Sequence, residues 1–453
     1  MRRSALLLGL GLAACTVGPD YVRPAAPVPA AFKELAGWQP AQPADAIDRG
    51  AWWSLFDDPV LSGLERQIDI GNQNLRAYEA AYRQALALVR QARSGLFPTV
   101  SVGPALSATR ASRLETTAGS GEASASWEPD VWGKVRRQVE SQGAAAQASA
   151  AELANIRLSA QAELATNYFN LRAQDSLAAL LQETVAAYER SLSIAQNQYG
   201  AGVAARSDVI TAQTQLQSTK AQLIAAQTSR ATSEHAIALL TGQPPANLTV
   251  PVGRLPDRVP TPPVSVPSTL LQQRPDIAQA ERTMQQQNAL IGVAVAAYYP
   301  TISLSAAAGA AASPLSQLST VSGLVWSLAA SGAQTVFDGG SRSATLDASR
   351  AAYDQAVASY RQTVLAAFQD VEDQLSTLRI LQDQAVVQEG AVSLARQAVA
   401  IALNEYRAGT QTYTTVVTAQ ATALTAAQTL LSIQQSRLVA SVSLVRALGG
   451  GLP

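Results

Sequence analysis

The chain carries one pattern twice, 207 residues out of step. Tyr199-Gly200-Ala201-Gly202 recurs as Tyr406-Arg407-Ala408-Gly409, Gly133 as Gly340 and Gly242 as Gly449, each at a spacing of 207. Phe97-Pro98 recurs as Tyr299-Pro300 at a spacing of 202, so the copies differ by a few residues of loop. A period this long exceeds any solenoid unit and marks duplication of a whole supersecondary assembly. Each copy reads as a helix, two extended segments, a very long helix, a tight turn and a return helix. Few architectures require that order twice.

The helical runs are long. Residues 144–199 and 341–389 contain neither Gly nor Pro, and the second run continues past Gly390 to Ala408. At 1.5 Å per residue, a helix of some sixty residues reaches roughly 90 Å. Stepping by seven from Leu164 gives Leu171, Ala178, Val185, Leu192 and Tyr199. The second copy gives Val357, Val364, Val371, Leu378, Ala385, Val392, Val399 and Tyr406, in register under the 207-residue shift. A seven-residue stripe implies left-handed supercoiling with knobs-into-holes packing, and an ordinary two-stranded coiled coil shares this periodicity. Gly202 and Gly409 read as left-handed caps ending the long helices, with return helices over 203–241 and 410–448. Shorter helices, 60–95 and 274–297, precede the extended pairs, and Arg274-Pro275-Asp276 puts Pro at a helix start.

Four extended segments follow these helices: 97–110, 121–131, 299–312 and about 320–337. Thr99-Val100-Ser101-Val102 and Thr301-Ile302-Ser303-Leu304 alternate small polar with apolar residues. Such strands suit a membrane barrel with a polar lumen, and Trp127, Trp132, Tyr298, Tyr299 and Trp326 would supply interfacial girdles. A soluble hairpin with one buried face has the same local pattern. Lipid tolerates no open sheet edge and four strands close no barrel, so membrane-spanning strands must be pooled; a trimer supplies twelve.

Net charge is zero and only 15% of residues are charged, which argues against a nucleic-acid footprint. One Cys and one His allow no disulfide, zinc cluster or histidine triad within a chain. His235 stands mid-helix without a partner, and Asp338-Gly339-Gly340 lacks the Lys of a phosphate loop; it reads as a strand-to-helix turn. No enzyme and no cofactor are expected. The scarcity of Met and His also argues against a metal-specialised lining.

Met1-Arg2-Arg3 followed by apolar Ser4 to Ala14 is too short to span a bilayer and reads as a signal peptide over 1–14. Leu12-Ala13-Ala14-Cys15 resembles the bacterial lipobox, which implies diacylglycerol and palmitoyl chains on Cys15 and, with Thr16 next, sorting to the outer membrane. Two Pro-rich stretches complete the chain. One lies in the N-terminal segment 15–59 and the other in the connector 243–273 between repeat 1 (60–242) and repeat 2 (274–453); both read as extended connectors.

Trp52-Trp53-Ser54-Leu55-Phe56-Asp57-Asp58-Pro59 and Asn72-Gln73-Asn74-Leu75 resemble the N-terminal signature of TolC-type outer-membrane efflux proteins. Arg274-Pro275-Asp276-Ile277, Tyr299-Pro300-Thr301-Ile302, Phe337-Asp338-Gly339-Gly340 and Ala447-Leu448-Gly449-Gly450 resemble its second-repeat counterpart. Cys15-Thr16-Val17-Gly18-Pro19-Asp20-Tyr21 is similar to the acylated start of the NodT-type lipoprotein branch. The resemblance implies a homotrimer whose twelve-stranded outer-membrane β-barrel continues into a twelve-helix periplasmic α-barrel. It would act as the exit duct of a tripartite efflux pump, docking through a periplasmic adaptor to an inner-membrane transporter. A type I secretion duct shares this fold. A lipid-anchored periplasmic coiled-coil scaffold explains the heptads but leaves the strands unexplained.

The resemblance also places a periplasmic gate after the second turn, at Tyr413, Thr414 and Thr418, with Tyr413 and Thr414 as the narrowest ring. Many relatives carry a carboxylate where this chain has Thr418, so an acid-ring gate is not expected here. Arg206 and Asp208 are the charged residues after the first turn, suited to solvation, inter-helix links or adaptor contacts. Tyr199, Gly202, Tyr406 and Gly409 mark the adaptor-docking turns.

Overall fold

A computed structural model describes residues 16–26, 28–29, 31–34, 51–111, 114–260, 274–312 and 324–450. The signal segment 1–14, Cys15, much of the first Pro-rich stretch and residues 261–273 of the connector lie outside the described residues. The elements run α1 (Pro59–Gly71), α2 (Gln73–Ser94), β1 (Thr99–Ala111), β2 (Leu114–Trp127), α3 (Lys134–Gly200) and α4 (Arg206–Leu240). The second copy supplies α5 (Pro275–Ala296), β3 (Thr301–Ala312), β4 (Leu324–Ala333), α6 (Ser341–Arg407) and α7 (Tyr413–Ala447). Duplication extends to length: α3 and α6 each have 67 residues, and α4 and α7 each have 35. Two compact units emerge, one of residues 1–26, 79–152 and 276–363, the other of 27–78, 153–275 and 364–453.

The first unit holds one antiparallel sheet in the order β1-β2-β3-β4, so β1 and β4 are its edges. Register puts Val102 opposite Ala123, Ala123 opposite Ala308 and Ala308 opposite Trp326; the next row is Val100, Ala125, Ala306 and Leu328. Directly opposed residues share a face, so across these rows this face is apolar. The other face carries Ser101, Ser124, Ser305 and their neighbours, with Ser101 Oγ 2.9 Å from Ser124 Oγ. Within one chain Val100, Val102, Leu106, Leu324, Trp326 and Leu328 are 67–78% exposed. The aromatic residues divide. Trp132 stacks on Tyr299 at 4.8 Å and donates to Pro300 O, and Trp127 donates to Leu96 O. Trp326 instead lies within β4, on the apolar face.

Both long helices in this unit start on the same device. Asp130 accepts from the backbone N–H groups of Val135 and Arg136 while Gly133 takes φ +81°. Asp338 accepts from those of Gly340 and Arg342, with Gly340 at φ +91°. Carboxylates satisfy otherwise orphaned N–H groups there, which accounts for the Gly133/Gly340 echo. Hydrogen bonding to Arg342, foremost, holds the Asp338 carboxyl below its ordinary range.

The N-terminal segment is tied down beside the start of α3. Arg137, 4% exposed, donates to Val17 O, Gly18 O and Asp20, and Val17 N–H donates to Trp132 O. A Cβ on Gly18 would stand 2.4 Å from the Gly292 Cα, so backbones touch there and only glycine fits.

The second unit has its core where the Trp52–Phe56 3-10 turn and α1 meet α3, α4 and α7, on Trp52, Trp53, Phe56, Leu61, Leu64, Ile68, Leu164, Tyr168, Phe169, Leu171, Ile237 and Val442. Full burial of each such aliphatic side chain contributes roughly 1.5–3 kcal/mol. The uninterrupted helix expected over 60–95 is instead two. Asn72 is extended (ψ 113°), caps α2 by accepting from Leu75 N–H, and donates to Leu240 O at the end of α4. A tertiary contact thus breaks a locally continuous helical pattern.

The seven-residue stripe is buried in α6 at Val364, Val371, Leu378, Ala385, Val392 and Tyr406. In α3 only Leu164 and Leu171 of the expected series are buried; beyond them the seam moves to Leu181, Tyr188 and Ala195. A second stripe on α6, Ile380, Val387, Leu394 and Ile401, repeats every seven residues and is 54–74% exposed in one chain.

Candidate functional site

The turns after α3 and α6 have the same hydrogen bonds. Gly202 N–H donates to Tyr199 O and Val203 N–H to Gln198 O; Gly409 N–H donates to Tyr406 O and Thr410 N–H to Glu405 O. With φ +76° at Gly202 and +74° at Gly409 these are Schellman caps, which glycine allows without Cβ strain. The caps consume the residues read as the beginnings of the return helices. Ala205 and Thr412 are extended, so α4 starts at Arg206 and α7 at Tyr413.

Equivalent turn residues have unequal surroundings. Tyr199 is 48% exposed, whereas Tyr406 is 4% exposed and packs edge-on against Tyr413, centroids 5.1 Å apart. Tyr406 and Tyr413 join Ala195, Ala212, Ala402 and Val416 in a small apolar cluster drawn from all four long elements. The Tyr406 hydroxyl donates to Asp208 Oδ2 at 3.4 Å, and Gln198 donates to Tyr406 O at 3.1 Å. Burial first, then the Asp208 charge, pushes the Tyr406 phenol up to about 12; burial first, then Tyr406, does the same to Tyr413.

Tyr413 is therefore a packing residue in the chain, 2% exposed, and presents no ring to open space. Thr414 and Thr418 are exposed, and the Thr418 hydroxyl donates to Thr414 O. Asp208 is engaged by Tyr406; Arg206 is exposed. His235 is also exposed, on α4.

Sequence reasoning missed a polar clamp. Asp175, buried on α3, accepts from Arg230 of α4 at 2.7 Å and from Gly253 N–H at 3.0 Å. Arg172 donates to Tyr168 and to Pro251 O, Arg230 to Val250 O, and Glu234 accepts from Val250 N–H. The first part of the Pro-rich connector is thus fastened to the helices through its backbone. The available signal was Arg172-x-x-Asp175, a charged pair at i,i+3 amid small and apolar residues. Arg274, of the Arg-Pro-Asp motif, similarly donates to Ala447 O in the last turn of α7 and pairs with Asp370.

Comparison with known proteins agrees with this geometry. A probable efflux pump outer membrane protein, TtgC of Pseudomonas putida, is 31% identical over 97% of this chain and 93% of its own length. The cation efflux system protein CusC of Escherichia coli is 27% identical over 98% of both chains. Among solved structures, the outer-membrane channel OprN superposes with a TM-score of 0.88 at 30% identity, covering 96% of this chain and 99% of that one. The family model described as outer membrane efflux protein matches residues 66–243 and 266–450, one segment per repeat. The chain belongs to the outer membrane efflux protein family.

Proposed function

We propose that three copies of this chain pool their strands into a closed twelve-stranded barrel in the outer membrane and their helices into a periplasmic tunnel. The assembly forms the exit duct of a tripartite efflux pump, with an adaptor and an inner-membrane transporter as partners. The observation that carries this reading is the sheet: two open edges and one apolar face, left exposed in a single chain. Unpaired backbone groups at an edge cost several kcal/mol each in lipid, so only closure with further strands makes the face usable in a membrane. The exposed Ile380–Ile401 stripe supports the same demand among the helices.

The substrate class follows from relatives only in outline. TtgC is named for an efflux pump and CusC for cation efflux; the duct of this chain, with threonines at its tip, suits passage of small solutes without strong charge selection. Thr414 and Thr418 line the periplasmic gate, and the Tyr406–Asp208 link holds it. The turns at Tyr199–Gly202 and Tyr406–Gly409 dock the adaptor. Cys15 carries the lipid, a reading supported by Thr16, which packs against Gly133 close to the Trp132–Tyr299 pair.

Extraction tests the channel reading: a detergent-requiring trimer that dissociates on heating and conducts in planar bilayers is expected. A monomer released from membranes by salt would overturn it. Acyl labelling tests the anchor, and labelling that persists in Cys15→Ser would reject the assignment.

A further inference from the structure

Within one chain the long helix of the first repeat lies along the return helix of the second. Gln420 of α7 donates to the Ser191 hydroxyl of α3 at 2.8 Å, and Gln435 donates to the Asn170 amide oxygen at 2.8 Å. Numbers fall along α3 as they rise along α7, so the two run antiparallel. Along this contact Leu180, Ala187 and Ile194 recur every seven residues on α3, and Val417, Leu424 and Leu431 on α7, all half-buried. Leu180, Ala187 and Leu424 line one groove, and Ile194 and Val417 pack on the same tip cluster.

The duplication supplies a second version of this contact, whose two halves stay exposed in a single chain. A shift of 207 residues carries α3 forward onto α6 and α7 back onto α4. Leu180, Ala187 and Ile194 become Val387, Leu394 and Ile401; Val417, Leu424 and Leu431 become Ile210, Gln217 and Ile224. Gln217 is the polar departure. Ile210 and Ile224 are 50% and 65% exposed, and the three α6 positions are exposed as well. Seven-residue apolar seams on two antiparallel helices are the two sides of a knobs-into-holes contact.

We infer that these two faces mate between copies: α6 of one chain packs along α4 of a second, as α3 packs along α7 within each. The contact inside the chain sets the register. Ser191 with Gln420 maps onto Ala398 with Gln213, and Asn170 with Gln435 maps onto Thr377 with Thr228. In that register Ile401 meets Ile210, Leu394 meets Gln217 and Val387 meets Ile224. The face on α6 differs from the face on α4, so the contact is head-to-tail, the kind that builds rings. Around such a ring one helix contact alternates between two versions, one within a chain and one between chains. The inference rests on the proposed pooling of helices and adds to it the faces, the partner helix and the register.

The test is oxidative cross-linking of the full chain in detergent, with two cysteine pairs in register: Ile210→Cys with Ile401→Cys, and Ile224→Cys with Val387→Cys. A third pair, Ile210→Cys with Val387→Cys, is displaced by fourteen residues, roughly 21 Å along a helix. A disulfide needs Cα atoms within about 7 Å, so both in-register pairs should give covalent dimers and trimers on denaturing gels, with about tenfold less from the displaced pair and from each single variant. Equal yields from the displaced pair, or in-register disulfides closed within one chain, would overturn the contact. A charge pair supplies a second readout. Leu394→Glu should lower the temperature at which the oligomer dissociates, and adding Gln217→Lys should restore it; no loss, or no restoration, would overturn the register. Oligomeric state is measured before oxidation. A trimer without in-register cross-links rejects the contact and leaves the pooled assembly standing, whereas a monomer rejects both.

Discussion

Tyr406 at the end of the second long helix donates its hydroxyl to Asp208 at the start of the first return helix, across 3.4 Å. The contact joins the two repeats at their turns, although the two residues are 198 apart in sequence. Tyr406→Phe retains the edge-on packing with Tyr413 and deletes only the hydrogen bond. A net contribution of about 0.5–1.5 kcal/mol predicts that open-state occupancy in single-channel recordings rises severalfold, with the unfolding midpoint nearly unchanged. Asp208→Asn should produce a smaller change, since an amide oxygen still accepts. Unaltered conductance in Tyr406→Phe would remove the link from the gate.

The connector clamp predicts a large stability effect. Asp175 is 7% exposed and accepts from Arg230 while lying 3.4 Å from Arg172. Removing one partner of a buried ion pair leaves an uncompensated charge and costs about 3–5 kcal/mol. Asp175→Ala should therefore lower the denaturant midpoint strongly, and residues 250–255 should lose hydrogen-exchange protection first.

Arg137→Ala should free the N-terminal segment without unfolding the sheet. Three acceptors in residues 17–20 lose their donor, so limited proteolysis should cut near Asp20 in the variant and spare it in the native chain.

Glu65 predicts a pH dependence. It is fully buried on α1, neither carboxylate oxygen has a partner, and burial first, then Asp69, pushes its carboxyl well above the ordinary glutamate range. The folded chain thus binds this proton more tightly than the unfolded chain. The stability contribution is complete below the unfolded pKa and is lost as pH rises through the folded one. Thermal unfolding of the native chain should weaken from pH 5 towards alkaline pH relative to Glu65→Gln. Parallel curves for the two would show that Glu65 is not protonated in the folded state.

Features set by local chemistry were readable from residues alone. The Gly202 and Gly409 caps need only a residue tolerant of positive φ, and the α6 stripe from Val364 to Val392 needs only its period. Features decided by distant partners were not. The break at Asn72 depends on the Leu240 carbonyl, and the burial of Tyr413 depends on Tyr406. The shift of the α3 seam from Leu171 to Leu181 likewise reflects what α4 and α7 bring against it, so a stripe identical in both copies acquires different neighbours. Around the second turn, Thr414 and Thr418 are exposed where Tyr413 is buried, a difference that periodicity alone does not reveal.

The two open edges of the β1–β4 sheet also bear on biogenesis. Before closure, a solitary protomer carries two templates for indiscriminate strand addition beside an uncovered greasy surface, a combination prone to aggregation. Membrane insertion and subunit association must then proceed as one concentration-dependent event. The half-life of the solitary protomer in the periplasm, rather than the strength of the finished assembly, would set the yield of mature complexes and the need for escort by holdase chaperones.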